Sequence, residues 1–460
     1  MGNNGIIEKD IENFHSLERS KDLDILLDRI GDSQFVLLGE ASHGTSEFYR
    51  WRTEITKRLI TEKGFSFIAV EGDWPDCYKV NSYIKGLPES GKNAYDVLKS
   101  FNRWPTWMWA NNEMVELVKW LKLYNDKQQD GKIVGFYGLD LYSLWESMEA
   151  ILQYLKKIDP NGIKNAIEAY NCFEPYGKDV ENYARATAFV PENCEDEIIE
   201  MLKSLRSKMY VYSKKDRGNR DEDYFNAEQN AIIAKDAELY YRTMIRGDVN
   251  SWNIRDTHMM DTLERLIAFH DEANSKAIVW AHNTHIGDAR ATDMSKDNMI
   301  NLGQLVRERK SSNNAVLVGF GTYNGTVIAA KRWGVKMEQM KVPAATEGSW
   351  DHILHNLKND SIASTYTNDK VIIFSHSDDN INNRINDKNN NKINNDKWRG
   401  QRAIGVVYNP QYEKYGNYVP TILPLRYDTF LFIDETHALH PLLMSTIDDK
   451  DFPETFPTGI

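Results

Sequence analysis

Cysteine is scarce in this chain. Only Cys77, Cys172 and Cys194 occur in 460 residues, and no two stand in a C-x-x-C spacing. That usage argues against a disulfide framework or a thiolate zinc site, and it favours a reducing, cytoplasmic setting. Long apolar runs are missing too. Nothing approaches the roughly 20 residues that cross a bilayer, and the mean hydropathy is -0.58. The segment from Met1 to Ile6 lacks the basic region and apolar core of a secretory signal, so the chain reads as unprocessed.

Positive charge is in deficit. With 56 Lys and Arg against 68 Asp and Glu the net charge is -12, which disfavours nucleic acid and anionic membrane surfaces as partners. Neutral or cationic small molecules remain, and the oligomeric state is left open. No G-x-S-x-G elbow, G-x-G-x-x-G turn or H-E-x-x-H helix occurs, which removes the local signatures of a serine hydrolase, a dinucleotide binder and a zinc protease. No fixed-period repeat suggests a solenoid or propeller.

What is present is a strand grammar. Phe35–Leu38 is a short apolar run that stops at Gly39 and hands the chain to Glu40 and His43. A helix follows, with Phe48, Trp51, Ile55 and Leu59 at helical spacing until Gly64. Phe67–Val70 leads in the same way into Glu71-Gly72-Asp73, Ile133–Tyr137 into Gly138-Leu139-Asp140, and Ala277–Trp280 into His282 and His285. Val316–Gly321, Val327–Ala330, Val371–Phe374, Ala403–Tyr408 and Thr429–Ile433 read as further strands, some of them antiparallel.

Between 143 and about 270 the pattern is helical, without a convincing strand. The expected fold is therefore α/β, a mostly parallel or mixed central sheet flanked by helices, with a largely helical inserted subdomain. We place the core at 1–142 and 271–460, the insertion at 143–270, and a mobile Asn-rich loop at 378–396.

Glu40, His43, Glu71, Asp140, His282 and His285 all follow strands, so one carboxyl edge of a sheet could gather them. In the absence of a serine elbow, water is the expected nucleophile. A histidine can take its proton while a carboxylate such as Glu40 or Glu71 fixes the ring. His282, His285 and Arg52 could then steady the oxyanion. The same residues allow a second reading, a divalent metal held by histidines and carboxylates, although the His282–His285 spacing is weakly diagnostic. A third is a non-catalytic small-molecule binding protein. Trp104, Trp107 and Trp109 could line an apolar pocket or simply pack, and His437 and His440 could approach from the last strand.

Taken together, Leu38–Gly44, Glu71–Trp74, Tyr137–Asp140, Arg255-Asp256 and Trp280–His285 resemble the erythromycin esterase family. The resemblance implies a hydrolase in which histidine-activated water opens an ester such as a macrolide lactone, without an obligatory metal or cofactor. Many members share these motifs without any reason to call them antibiotic-resistance enzymes, and some carry a succinoglycan biosynthesis label. By resemblance the general base falls on His43, the glutamates on Glu40 and Glu71, the arginine on Arg52 and the histidine pair on His282 and His285. Glu71 with His285 could serve instead of His43. Asp73, Trp74, Trp107, Trp109, Asp140 and Arg255 are the expected substrate contacts in a cleft between the core and the insertion.

Overall fold

The computed structural model describes residues 11–87, 90–128, 133–176, 180–187, 193–208, 220–246, 249–357, 368–375 and 398–443. Eleven strands are present among them: β1 Ile11–Ser16, β2 Phe35–Leu38, β3 Phe67–Asp73, β4 Gly135–Asp140, β5 Ala277–Trp280, β6 Ala315–Ala329, β7 Glu338–Val342, β8 Lys370–Phe374, β9 Arg399–Arg402, β10 Tyr418–Thr421 and β11 Thr429–Thr436. Nine form a mixed sheet in the order β1-β8-β11-β6-β2-β5-β3-β4, with β7 paired to β6, while β9 and β10 form a separate hairpin. From β11 to β4 neighbouring strands run parallel; β1 and β8 close the other side antiparallel.

The central strands are apolar on both faces, as a parallel sheet covered by helices on both sides requires. Val36 and Leu38 of β2 join a core with Ile68, Val70, Ile278 and Trp280, whereas Phe35 and Leu37 join another with Phe67, Ala69 and Val279. Helix α1 (Ser46–Lys63) covers the first face with Phe48, Ile55 and Leu59, and α2 (Trp74–Lys85) follows β3 directly. Helix α3 (Asn112–Asn125) adds Met114, Leu117 and Leu121 to the first core.

Between β4 and β5 the described residues hold helices and no strand. Helices α4 (Leu144–Ile158), α5 (Lys164–Phe173), α6 (Glu195–Ser207) and α7 (Arg220–Met244) pack around their own core of Met148, Ile151, Phe173, Ile198, Met201 and Ala234. Helix α8 (Asn250–Asp271) differs, because Met259, Leu263 and Leu266 belong to the sheet core. The Asn-rich segment 378–396 lies outside the described residues.

Three sequence expectations are corrected. Cys172 and Cys194 form a disulfide between α5 and the residue before α6, so the cysteine argument for a reducing cytoplasm falls. Local spacing could not reveal it, because the helices bring together residues 22 apart. The two strands expected at Val316–Gly321 and Val327–Ala330 are the single strand β6, whose stretch Thr322–Gly325 keeps pairing with β11. Ala403–Tyr408 is no strand but makes isolated bridges, one of them between Ile404 and Ser42. Among the described residues no helix is long and apolar enough to cross a membrane.

Candidate active site

A cleft open to solvent lies at the carboxyl edge of the parallel strands. His43, Glu71, Asp73, Asp76, Asp140 and Arg255 supply its polar side. Phe101, Trp104, Met108, Trp109, Trp333 and Val406 supply an apolar one, and Arg103 and Tyr142 also line it. An apolar cleft with convergent titratable groups is the usual form of a small-molecule site.

His43 stands in the turn between β2 and α1, which is tied down from two sides. The Gly44 carbonyl accepts the backbone N–H groups of Ile328 and Leu439, at 3.0 and 2.9 Å. A Cβ on Gly44 would come within 1.9 Å of the Ile328 carbonyl oxygen, so only glycine fits. Within this turn His43 Nδ1 lies 2.9 Å from Glu40 Oε1. An ionised carboxylate only accepts, so Nδ1 carries the proton and Nε2 keeps its lone pair. Arg52 Nη2 donates to the other oxygen of Glu40 at 2.5 Å. The Arg52 guanidinium is fully buried, 4.4 Å from the Tyr49 ring centroid and 4.6 Å from that of Trp280. It therefore stands behind Glu40 as a buttress, and the oxyanion role expected for it does not fit.

Glu71, near the end of β3, is gripped by Arg255 Nη2 at 2.8 Å and by the His282 backbone N–H at 2.7 Å. Burial raises the Glu71 carboxyl, but the neighbouring His285 and Arg255 cations outweigh it and hold it well below the usual carboxylate range. Arg255 also clamps both oxygens of Asp140, at 3.0 and 2.7 Å.

His285 is fully buried, stacked on Trp252 with ring centroids 4.5 Å apart, and does not reach the cavity. Its Nδ1 lies 3.0 Å from Asp256, while its Nε2 lies 2.9 Å from Arg255 Nη1 and 3.4 Å from Glu71. The arginine contact suits a neutral ring. Burial also lowers the pKa, but the Asp256 and Glu71 carboxylates outweigh both and raise it to about 9. Buried, outside the cavity lining and with both ring nitrogens close to partners, His285 stands behind Glu71 as its support.

His282 differs in one atom. Its Nδ1 lies 2.8 Å from Thr284 Oγ1 and accepts the Thr284 backbone N–H at 3.3 Å, so with the hydroxyl also donating, the ring proton of the neutral form is on Nε2. That Nε2 is buried without a hydrogen-bond partner, and the ring lies 4.9 Å from that of His43. Burial and the nearby His43 push His282 well below its ordinary pKa, so the ring is a neutral donor.

Asp73 is unusual among the cavity carboxylates. It occupies the N-cap position of α2, yet its side chain makes no capping hydrogen bond, and Pro75 has removed one of the N–H groups it would have reached. Its Oδ1 is buried with no partner, while Oδ2 lies 3.6 Å from Arg103 Nε. Burial, opposed by Arg103 and reinforced by Asp140, Glu146 and Asp76, raises its pKa well above the ordinary value.

The aromatic expectations divide. Trp109 lines the cavity and donates from Nε1 to the Glu71 carbonyl at 3.2 Å. Trp107 is buried edge-on behind Trp104, and it is Trp104 that reaches the cavity. Trp74 points away, stacked on Tyr137 and bonded to Asn226, so it is core and not a substrate contact. His437 and His440 are exposed and pair with Glu47 and Glu113. Sequence reading gave no role to Asp256, Arg103, Tyr142 or Trp333. Of these, Asp256, next to Arg255 in a quoted motif, and Tyr142, two residues past the end of β4, left a signal. Among the described residues no group of three or more His, Cys, Asp and Glu side chains is placed to hold a metal ion.

Fold and site together define an α/β protein with a histidine–carboxylate centre beside an apolar cleft. The chain belongs to the erythromycin esterase family, a family of esterase-like hydrolases whose model matches residues 60–436. It is 21% identical over 349 residues to an erythromycin esterase type II of Escherichia coli, covering 70% of this chain and 77% of that one. Among solved structures, a succinoglycan biosynthesis protein matches with a TM-score of 0.68 at 21% identity, covering 95% of this chain and 98% of that one. An EreC erythromycin esterase mutant in its open conformation matches with a TM-score of 0.64 at 14% identity, covering 96% and 100%. At such identities the structural likeness speaks for the fold alone.

Proposed function

We propose that this protein hydrolyses a carboxylic ester or lactone with water activated by His43, and that a macrolide lactone is the first substrate to test. The observation that carries the reading is the His43–Glu40 pair: Nδ1 is held by a carboxylate, and the ring borders an apolar cavity. As water attacks the carbonyl carbon, Nε2 of His43 takes its proton, and Glu40 stabilises the imidazolium formed. The unpartnered donor beside His43 is the Nε2–H of His282, which is buried behind the cavity lining with its ring 4.9 Å from that of His43, and the oxyanion that develops is assigned to it. Glu71 stays anionic throughout, adds its field to the imidazolium on His43 and fixes the His282 backbone.

The test is to incubate the purified protein with erythromycin and with a panel of simple esters, following the gain of one water by mass spectrometry. Ring opening supports the reading together with its substrate. Hydrolysis of simple esters alone keeps the chemistry and moves the substrate elsewhere. Failure on every ester would leave a binding protein and end the proposal.

A further inference from the structure

Four carboxyl groups line the cavity, and three of them are committed. Glu71 and Asp140 are bound by Arg255, and Asp76 Oδ1 lies 2.7 Å from Lys79 Nζ. Asp73 alone among them has a buried oxygen with no hydrogen-bond partner, and it has given up the helix cap that its position would offer. It lies two residues after Glu71 at the end of β3 and shares the cavity with His43. We infer that Asp73 is the general acid of the reaction, donating its carboxyl proton to the oxygen of the departing alcohol.

This rests on the hydrolytic reading above and completes its proton account. After water has added and His43 holds its proton, the tetrahedral intermediate reforms the C=O bond and breaks the bond to the alkoxy oxygen. The electron pair of that bond goes to the leaving oxygen, which takes the proton from Asp73. A carboxylic acid and an alcohol result. The proton on His43 returns through solvent to the Asp73 carboxylate, and the net reaction consumes one water. The charged groups facing Asp73 are Arg103, Asp140, Glu146 and Asp76. Burial among carboxylates favours the protonated form that the role requires, and Arg103 opposes it without forming a close hydrogen bond.

The experiment compares two esters of one acid: an alkyl ester, whose alkoxide must be protonated to leave, and a nitrophenyl ester, whose phenolate leaves without a proton. Asp73→Asn is expected to lower kcat on the alkyl ester roughly 100-fold more than on the nitrophenyl ester, within the range general acids supply. In the unaltered enzyme, kcat on the alkyl ester should fall on the alkaline side as Asp73 ionises, whereas kcat on the nitrophenyl ester should not. This second measurement needs no variant to fold. An unchanged ratio of the two activities in D73N, or matching alkaline profiles in the unaltered enzyme, would overturn the assignment while leaving His43 in place. Inactivity of the unaltered enzyme on both esters would remove the hydrolytic reading and this inference with it.

Discussion

His43 and His282 sit with their rings 4.9 Å apart and their Nδ1 atoms occupied in opposite senses. His43 Nδ1 donates to Glu40, and His282 Nδ1 accepts from Thr284. The Nε2 atoms are thereby left complementary, a lone pair on one ring and an N–H on the other. A base for water and a donor for the oxyanion stand side by side.

Replacing His43 by Ala should lower kcat by roughly 10²–10⁴-fold and leave the melting temperature almost unchanged. Glu40→Gln should also lose turnover, because a neutral amide cannot stabilise the imidazolium. Steady-state kinetics with thermal unfolding on both variants checks this, and near-normal turnover in H43A would sink the assignment.

His282→Ala should act on kcat more than on KM, by about 10²–10³-fold, since its free N–H meets charge that exists only along the reaction path. A variant impaired only in KM would identify His282 as an ordinary binding contact.

The His285 ring, raised from 6.5 to about 9, stabilises the fold through its charged form. Its contribution is fully present below pH 6.5 and is lost as the pH rises through 9. Thermal unfolding should show stability declining across that window, and Asp256→Asn should flatten the decline by removing the closest carboxylate. Parallel pH profiles for the two proteins would contradict the charge assigned to His285.

The Cys172–Cys194 disulfide staples helices whose core meets the cavity lining at Tyr142. Cys194→Ser should cost about 3 kcal/mol of stability, the loop-closure value for this separation. Its kcat at moderate temperature should stay within a factor of two. Loss of activity without loss of melting temperature would show that the staple serves the site.

Because histidine and carboxylates here are read as working without a metal, chelator should not change turnover, and purified protein should contain no stoichiometric metal. Inactivation by chelator with recovery on adding metal back would reverse this.

Much of the centre was legible because parallel strands announce their own ends. An apolar run that stops at Gly39 before Glu40 and His43, or at Ala281 before His282, marks the edge where ligands gather, and β2, β3, β4 and β5 are neighbours as that pattern required. Roles were less legible than places. Arg52, His285 and Trp74 look like site residues in the sequence, yet burial and partners put them behind it. Nothing in local spacing says which way a side chain faces once two elements have packed. Arg103 and Trp333 were invisible for the converse reason: each comes from a segment with no strand-end pattern and meets the cavity only through tertiary packing, whereas Tyr142, two residues past the end of β4, carried the signal and was passed over.

Gly72 sits between Glu71 and Asp73, and a Cβ there would approach Trp109 Nε1 to 2.8 Å. The missing side chain lets the indole lie against the strand and bond to the Glu71 carbonyl. The reacting edge and that face of the apolar wall are consequently one mechanical unit. A lineage that adapted to a bulkier or slimmer ester could not reshape this face without disturbing the chemistry. Reshaping the pocket while leaving that unit intact falls to the other apolar lining residues, Phe101, Trp333 and Val406.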